Sequence, residues 1–308
     1  MRKWFVVSGQ WSVVATLLVL LTLVGCSKQE TVVVYTSQDE VYAEPILQEF
    51  TRKTGIAALA VYDSEAVKTV GLVNRLLTEK EHPQCDVFWN NEEFRTRQLE
   101  AQGVLRETNP WVAFGFRTRR LVVNTNLMTL ANAPRRLSAL TNETFRGKAA
   151  VAYPLFGTTS THFLALRQRW GEAAWTQWCR DFASNKPFLV DGNSVVVKMV
   201  AKGEAVMGIS DSDDVIAGQR EGLPVDSLVL EEDGLAIRNT VAVIRHAPHA
   251  EAAQKLLDYL QSDEVFKKLV AAGAVEAVSP NRDDHLQWDD LLKKQERAVE
   301  ILKGVFLR

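Results

Sequence analysis

From Thr31 onward the chain alternates short apolar runs with longer stretches of helical periodicity. That alternation restricts the fold more than any other feature of the sequence. Strands connected through helices pair in parallel, and a parallel sheet must be covered on both faces. "TVVVYTS" (Thr31 to Ser37) reads as a strand buried on both sides, followed by a helix from Val41 that stops at Gly55. "IAALAVY" and "CDVFWN" are further strands. The helices "SEAVKTVGLVNRLLTEK", with Ser64 as N-cap, and "EEFRTRQLEAQG", ending at Gly103, follow them. In such sheets ligands bind beyond the C-terminal ends of the strands. Three of those ends are polar and acidic: "SQDE" at 37–40, "YDSE" at 62–65 and "NNEE" at 90–93.

A second αβ series begins after "RRLVVNT" (Arg119 to Thr125). It contains the strand "GKAAVAYPL", then "GTTSTHFLALRQRWG" as a loop running into a helix, then the helix "AAWTQWCRDFASN". "NSVVVKMVAKG" is a helix capped by Asn193 or Ser194, and "EAVMGIS" a strand. An extended run, "GLAIRNTVAVIR", precedes the helix "PHAEAAQKLLDYLQS", and a last helix, "DDLLKKQERAVEILKGV", ends the chain. The expected fold is α/β with two lobes. The segments near 119–125 and 236–244 are the crossovers between them. Lobes joined by strands can hinge and close on a ligand.

The first residues read as an export signal. Arg2 and Lys3 precede the apolar run "WSVVATLLVLLTLV", which ends in "LVGC" at Cys26. A retained membrane anchor is the competing reading, but Ser8, Gly9 and Gln10 interrupt the span. The expected organisation is a signal segment at 1–25, a first lobe at 26–119 plus about 240–275, and a second at about 120–239 plus 276–308. A net charge of −2 with interspersed signs leaves no basic face for nucleic acid. Cys85 and Cys179 lie far apart in different predicted elements. Buried free thiols and a disulfide both remain open, since an exported compartment permits either.

"GISDSDDVIAG" (Gly208 to Gly218) places Asp211, Asp213 and Asp214 at the end of a second-lobe strand. Carboxylates so close repel one another unless solvent, a cation or a helix N-terminus stabilises them. Three readings stand: capping of the following helix, with Asp211 the first choice for the cap, cation coordination, and hydrogen bonding to a polar or cationic solute. Asp213 and Asp214 are the choice for ligand contact. An EF-hand is excluded, because Val215, Ile216 and Gly222 stand where it needs an oxygen ligand, Gly and Glu. "GTTST" (Gly157 to Thr161) turns from strand to helix, and its N–H groups and hydroxyls suit an anion. Trp89, Tyr35, Tyr62 and Tyr153 fall at strand ends, where they line a cleft or pack the core. His162 reads as a hydrogen-bonded helix residue rather than a ligand.

The segments "VVVYTSQDEVYAEPILQEFTRKTGI", "CDVFWNNE", "RRLVVNTN", "FRGKAAVAYPLFGTTSTH" and "NSVVVKMVAKGEAVMGISDSDD" together resemble the bacterial extracellular solute-binding proteins of ABC importers. The nearest group contains the periplasmic ferric-ion-binding proteins. The resemblance implies a two-lobed, type II periplasmic-binding-protein-like fold with the ligand cleft between lobes. It also implies a membrane permease and an ATPase as partners, and a monomer is the expected state. "LVGC" resembles a bacterial lipoprotein signal, which implies lipid attachment at Cys26 and location in the cell envelope, at the periplasm or outer surface. Several acyl chains together anchor stably.

Ferric-binding members commonly hold iron with a tandem tyrosine pair, which falls on Asp213 and Asp214. Their His after the first strand falls on Asp39. Their Glu after the third strand falls on Asn91, or on Glu92 with a one-residue shift. Phenolate is thus absent from the pair, while oxygen ligands for Fe³⁺ or another hard cation remain. The family's anion site matches Gly157, Thr158, Thr159, Asn193 and Ser194. The expectation is a tethered receptor, not an enzyme, since GxSxG, HExxH, SxxK and P-loop patterns are missing. No resident cofactor is expected; a metal ion would be cargo, bound beside an anion. The alternatives are a small polar organic solute, such as an amino-phosphonate or polyamine, and a tethered sensor subunit.

Overall fold

The computed structural model describes residues 29–62, 68–277 and 286–307. The expected signal segment at 1–25, the lipid site Cys26 and the Ser64 cap lie outside the described residues. In the first half of the chain, β1 (Thr31–Thr36), β2 (Ala57–Val61) and β3 (Val87–Asn90) alternate with α1 (Glu40–Thr54), α2 (Lys68–Thr78) and α3 (Glu93–Ala101). Gly55 ends α1 in the left-handed region at φ 76°, a conformation that only glycine adopts without cost. A long strand, β4 (Trp111–Asn124), follows.

The second half holds β5 (Ala149–Ala152), α4 (Gly157–Trp170), α5 (Glu172–Ser184), β6 (Phe188–Val190), α6 (Asn193–Ala201), β7 (Met207–Asp211), α7 (Ser212–Arg220) and β8 (Val225–Val229). The chain then runs through β9 (Ala236–Val243), α8 (Ala250–Leu260), α9 (Asp263–Ala272) and α10 (Trp288–Phe306). No element is read from the sequence at β6, β8 or α9; β6 and β8 are short, whereas α9 does bury Val265 and Leu269 at helical spacing.

Among the described residues nine strands join in the order β2-β1-β3-β9-β4-β7-β5-β6, with β8 added against β4. β4 begins eight residues before the run at Arg119 that marks it in the sequence. It changes partners along its length. Its first part pairs antiparallel with β9 as far as Thr118 opposite Ala236. From Arg119, opposite Asp211, it pairs antiparallel with β7. A register shift between Ala113 and Phe116 bends the strand, and Gly115 at φ 65° allows it. A Cβ on Gly115 would meet Val275 at 2.9 Å.

Each half of the sheet carries helices on both faces. On one face of the first half, Val32, Val34 and Trp89 pack with Phe50 of α1 and Leu256 of α8. On the other face, Tyr35 and Phe88 pack with Leu72 and Leu76 of α2. In the second half, Val151 and Ile209 pack with Phe163 of α4, Trp178 of α5 and Leu302 of α10. The opposite face packs Val122 and Ala150 against Val196 and Val200 of α6. The helix N-termini that follow β1, β3, β5, β6 and β7 all lie at the C-terminal ends of those strands. Among the described residues no helix is long and apolar enough to cross a membrane.

Candidate functional site

A cavity of about 60 Å³ opens where those ends converge. The first half contributes Asp39, the residue before α1, and Asn91, which follows β3. The second half contributes Gly157, Thr158 and Thr159 from the start of α4, Gly192 and Asn193 from the start of α6, and Asp211 and Asp214 around the start of α7. The first turns of α4 and α6 have N–H groups without a carbonyl partner in their own helix. These N–H groups and the helix dipoles make that side of the cavity receptive to an anion. α4 begins at Gly157 itself, so "GTTST" is the helix start and not a loop leading to it.

The carboxylates of "GISDSDD" are stabilised by guanidinium groups from β4, and not by solvent, a cation or a helix N-terminus alone. Arg117 and Arg119 project from β4 into the cluster and are both buried. Arg119 donates to Asp211 Oδ1 at 2.6 Å and to Asn193 Oδ1 at 3.0 Å. Thr158 donates to Asp211 Oδ2 at 2.7 Å, and Asn193 Nδ2 reaches the same oxygen at 3.1 Å. Arg117 donates to Asp213 Oδ2 at 2.9 Å and to the backbone oxygen of Asn91 at 2.8 Å. It therefore ties the two halves of the molecule together through one side chain. A signal for both arginines existed. Alternate positions of "RTRRLVVN" are charged in a strand that must be buried, and buried guanidiniums require partners.

Asp211 stands at the N-cap position of α7 but makes no side-chain cap bond. Its oxygens are taken by Arg119, Arg117, Thr158 and Asn193, which corrects the capping role expected of it. Burial opposes its charge, yet Arg119, Arg117 and Thr158 outweigh burial and hold its carboxyl below the ordinary value. Asp213 is different. Burial, together with Asp211 and Asp39, pushes it up to about 6 despite Arg117. Burial and repulsion from Asp213, Asp211 and Asp39 lift Asp214 well above the ordinary carboxylate range.

Not every expected site residue faces the cavity. Glu92 is buried at the N-cap of α3, where it accepts from Phe94 N at 3.0 Å and Arg95 N at 3.2 Å. Thr161 also donates to it at 3.0 Å. It is a structural cap and lines no part of the cavity, a correction to its expected ligand role. Asn193 is the first residue of α6, whose N-cap is Gly192 without a side-chain bond, so neither Asn193 nor Ser194 caps that helix. Ser194 and Asp213 line a second chamber beside the first. Of the four aromatics at strand ends, Tyr153 lines the cavity. Trp89 is core, and the hydroxyls of Tyr35 and Tyr62 donate to Glu79 and Glu44. His162 is buried, with Nε2 2.6 Å from the carbonyl oxygen of Asp233.

The carboxylate oxygens of Asp211, Asp213 and Asp214 lie within 4.8 Å of one another, close enough to share a cation. Asp211 is already neutralised by arginine, and one oxygen of Asp213 is occupied by Arg117. What the arrangement offers is one face ringed by helix N-termini and an adjoining face with more carboxylates than guanidiniums.

Comparison with known proteins agrees with this architecture. Iron-bound HitA from Pseudomonas aeruginosa superposes with a TM-score of 0.77 at 19% identity, over 90% of this chain and 99% of that one. AfuA from Actinobacillus pleuropneumoniae, with exogenous fructose-6-phosphate bound, superposes at 0.75 with 17% identity, over 91% and 99%. The Trichodesmium IdiA (FutA) protein in complex with iron and citrate superposes at 0.71 with 18% identity, over 90% and 100%. No curated protein matches the sequence. Residues 87–295 match the family model described as bacterial extracellular solute-binding protein. The chain belongs to that family of solute-binding proteins, which serve ABC importers.

Proposed function

We propose that this chain is the extracytoplasmic receptor of an ABC importer and that its ligand is a small organic zwitterion. The anionic group rests on the N-termini of α4 and α6, against Gly157, Thr158, Thr159 and Asn193. The cationic group faces Asp39, Asp213 and Asp214. One observation carries this reading: a carboxylate cluster only partly neutralised by Arg117 and Arg119 adjoins a cavity ringed by helix N-termini. Two lobes, 26–119 with about 240–275 and about 120–239 with 276–308, hinge where β4 and β9 cross and close on the solute. A lipid on Cys26 tethers the receptor beside its permease and ATPase.

A hard metal cation with a bound anion is the second reading, favoured by the proximity of the three Asp side chains. Two features weigh against it. Asp211 spends both oxygens on protein donors, and a metal among these carboxylates would sit beside two guanidinium groups. An ammonium needs only the acceptor positions that remain.

A thermal-shift screen of the full chain tests the choice, because a ligand that binds only the folded state raises the melting point. Organic zwitterions are compared with ferric citrate and with other metal ions, each with and without phosphate or carbonate. A rise with zwitterions that is lost in the Asp213→Asn/Asp214→Asn variant supports the proposal. A rise only with a metal–anion pair overturns it in favour of the metal.

A further inference from the structure

The cavity that holds the anionic group is not the end of the site. Beyond Asp39 and Asp214, which line both spaces, lies a chamber of about 190 Å³ between the start of α1 and the facing surfaces of α6 and α7. Val41, Tyr42, Val197, Ala217 and Leu223 form its apolar walls, and Ser194, Lys198 and Glu221 also line it. Val41 is 72% exposed, so its side chain is open to a ligand in the chamber. Asp213 lines this chamber as well, and its Oδ1 is buried without a hydrogen-bond partner. A buried, unpaired carboxylate oxygen costs free energy unless a donor arrives from outside the chain.

From the order of these groups we propose that the ligand carries three parts in sequence. An anionic head fills the small cavity, an ammonium sits at the Asp39–Asp213–Asp214 gate, and an apolar body occupies the second chamber. The inference rests on the receptor reading above and sharpens its ligand class to an amino-acid-like zwitterion with a hydrophobic side group. The head is a carboxylate, phosphonate or phosphate. A cavity of roughly 150 Å³ accepts benzene, so this chamber takes a body of leucine or phenyl size. The ammonium supplies the donor that Asp213 Oδ1 lacks.

Calorimetric titration of the full chain tests this with matched probes. Glycine is set against leucine and phenylalanine, and aminomethylphosphonate against the phosphonate analogue of leucine. Within each pair the probe with the body is expected to bind about tenfold to a hundredfold tighter, the effect of burying one such side chain. Ala217→Phe, which fills the chamber, removes that gain. Val41→Ser, at an exposed position that does not endanger folding, reduces it several-fold. Equal affinity within each pair, or no effect of either substitution on the gain, overturns the chamber while leaving the zwitterion receptor standing. Binding of ferric citrate with no zwitterion bound overturns both.

Discussion

Arg119 and Asp211 meet at 2.6 Å with both side chains sealed from solvent. They stand directly opposite each other where β4 leaves β9 and takes up β7. A guanidinium so placed has nowhere else to find an anion, and Asp211, at the wall of the cavity, is only 1% exposed. The pair neutralises part of the acid cluster and presets Thr158 and Asn193 at the mouths of α4 and α6.

Removing one partner leaves the other charged and buried. Arg119→Met is therefore expected to destabilise the protein by about 3–5 kcal/mol. Arg119→Met/Asp211→Asn is expected to recover part of that loss. Urea unfolding followed by tryptophan fluorescence checks both, and equal stability of the wild type and Arg119→Met would refute the account.

Glu92 caps α3 rather than touching ligand. Glu92→Ala is expected to cost about 2 kcal/mol of stability, the upper end for an N-cap. Ligand affinity should stay unchanged in the folded variant. A selective loss of binding without a fall in melting point would return Glu92 to the site.

Burial, reinforced by Arg119, pushes the imidazole of His162 down to about 3 from 6.5. Between those values the folded protein binds fewer protons at His162 than the unfolded chain does. Stability from this group is present above about pH 6.5 and is lost as pH falls toward 3. His162→Gln, which keeps a donor for the Asp233 carbonyl, should flatten the slope by up to about 1.4 kcal/mol per pH unit. Unfolding curves of both proteins at pH 7, 6 and 5 give the difference.

Gly208 lies in β7 beneath α6, where an added Cβ would fall 2.4 Å from Val196 and 2.9 Å from the carbonyl oxygen of Ala150. Gly208→Ala forces α6 away from the sheet and is expected to cost about 1–3 kcal/mol. Because α6 begins at Asn193, the variant should also weaken ligand binding. A melting point and affinity equal to the wild type would show that the helix has room to yield.

Cys85 packs in the first half and Cys179 in the second, both free and buried, with thiols pushed up by burial. Neither should be alkylated by iodoacetamide in the native state, and both should be in urea. Peptide mass spectrometry reads each site separately, and a peptide linking the two would contradict the structure.

The backbone plan was legible because it rests on local patterns. Runs such as "VVV" and "VFW" have no polar face to expose, and Gly55 ends a helix in a conformation few other residues accept. The strand-end address of Asp39, Asn91, Thr158, Asn193 and Asp211 follows from the same alternation. What lies across the sheet from those residues does not. Glu92 and Asp211 are adjacent to helix starts in the same way, yet Glu92 caps its helix and Asp211 turns away from its own toward Arg119.

The sequence by itself determined an α/β chain with crossover strands and an acidic cluster at a strand end. Spacing of three and four or of two residues along the chain is enough for that, since it reflects only which face of one element is buried. Only the tertiary structure decided which charges meet. Arg117 and Arg119 lie 94 and 92 residues from Asp211 along the chain, and β4 brings them within 3.3 Å. Coulomb interaction depends on distance and on exclusion of water, and neither is written in the spacing of residues.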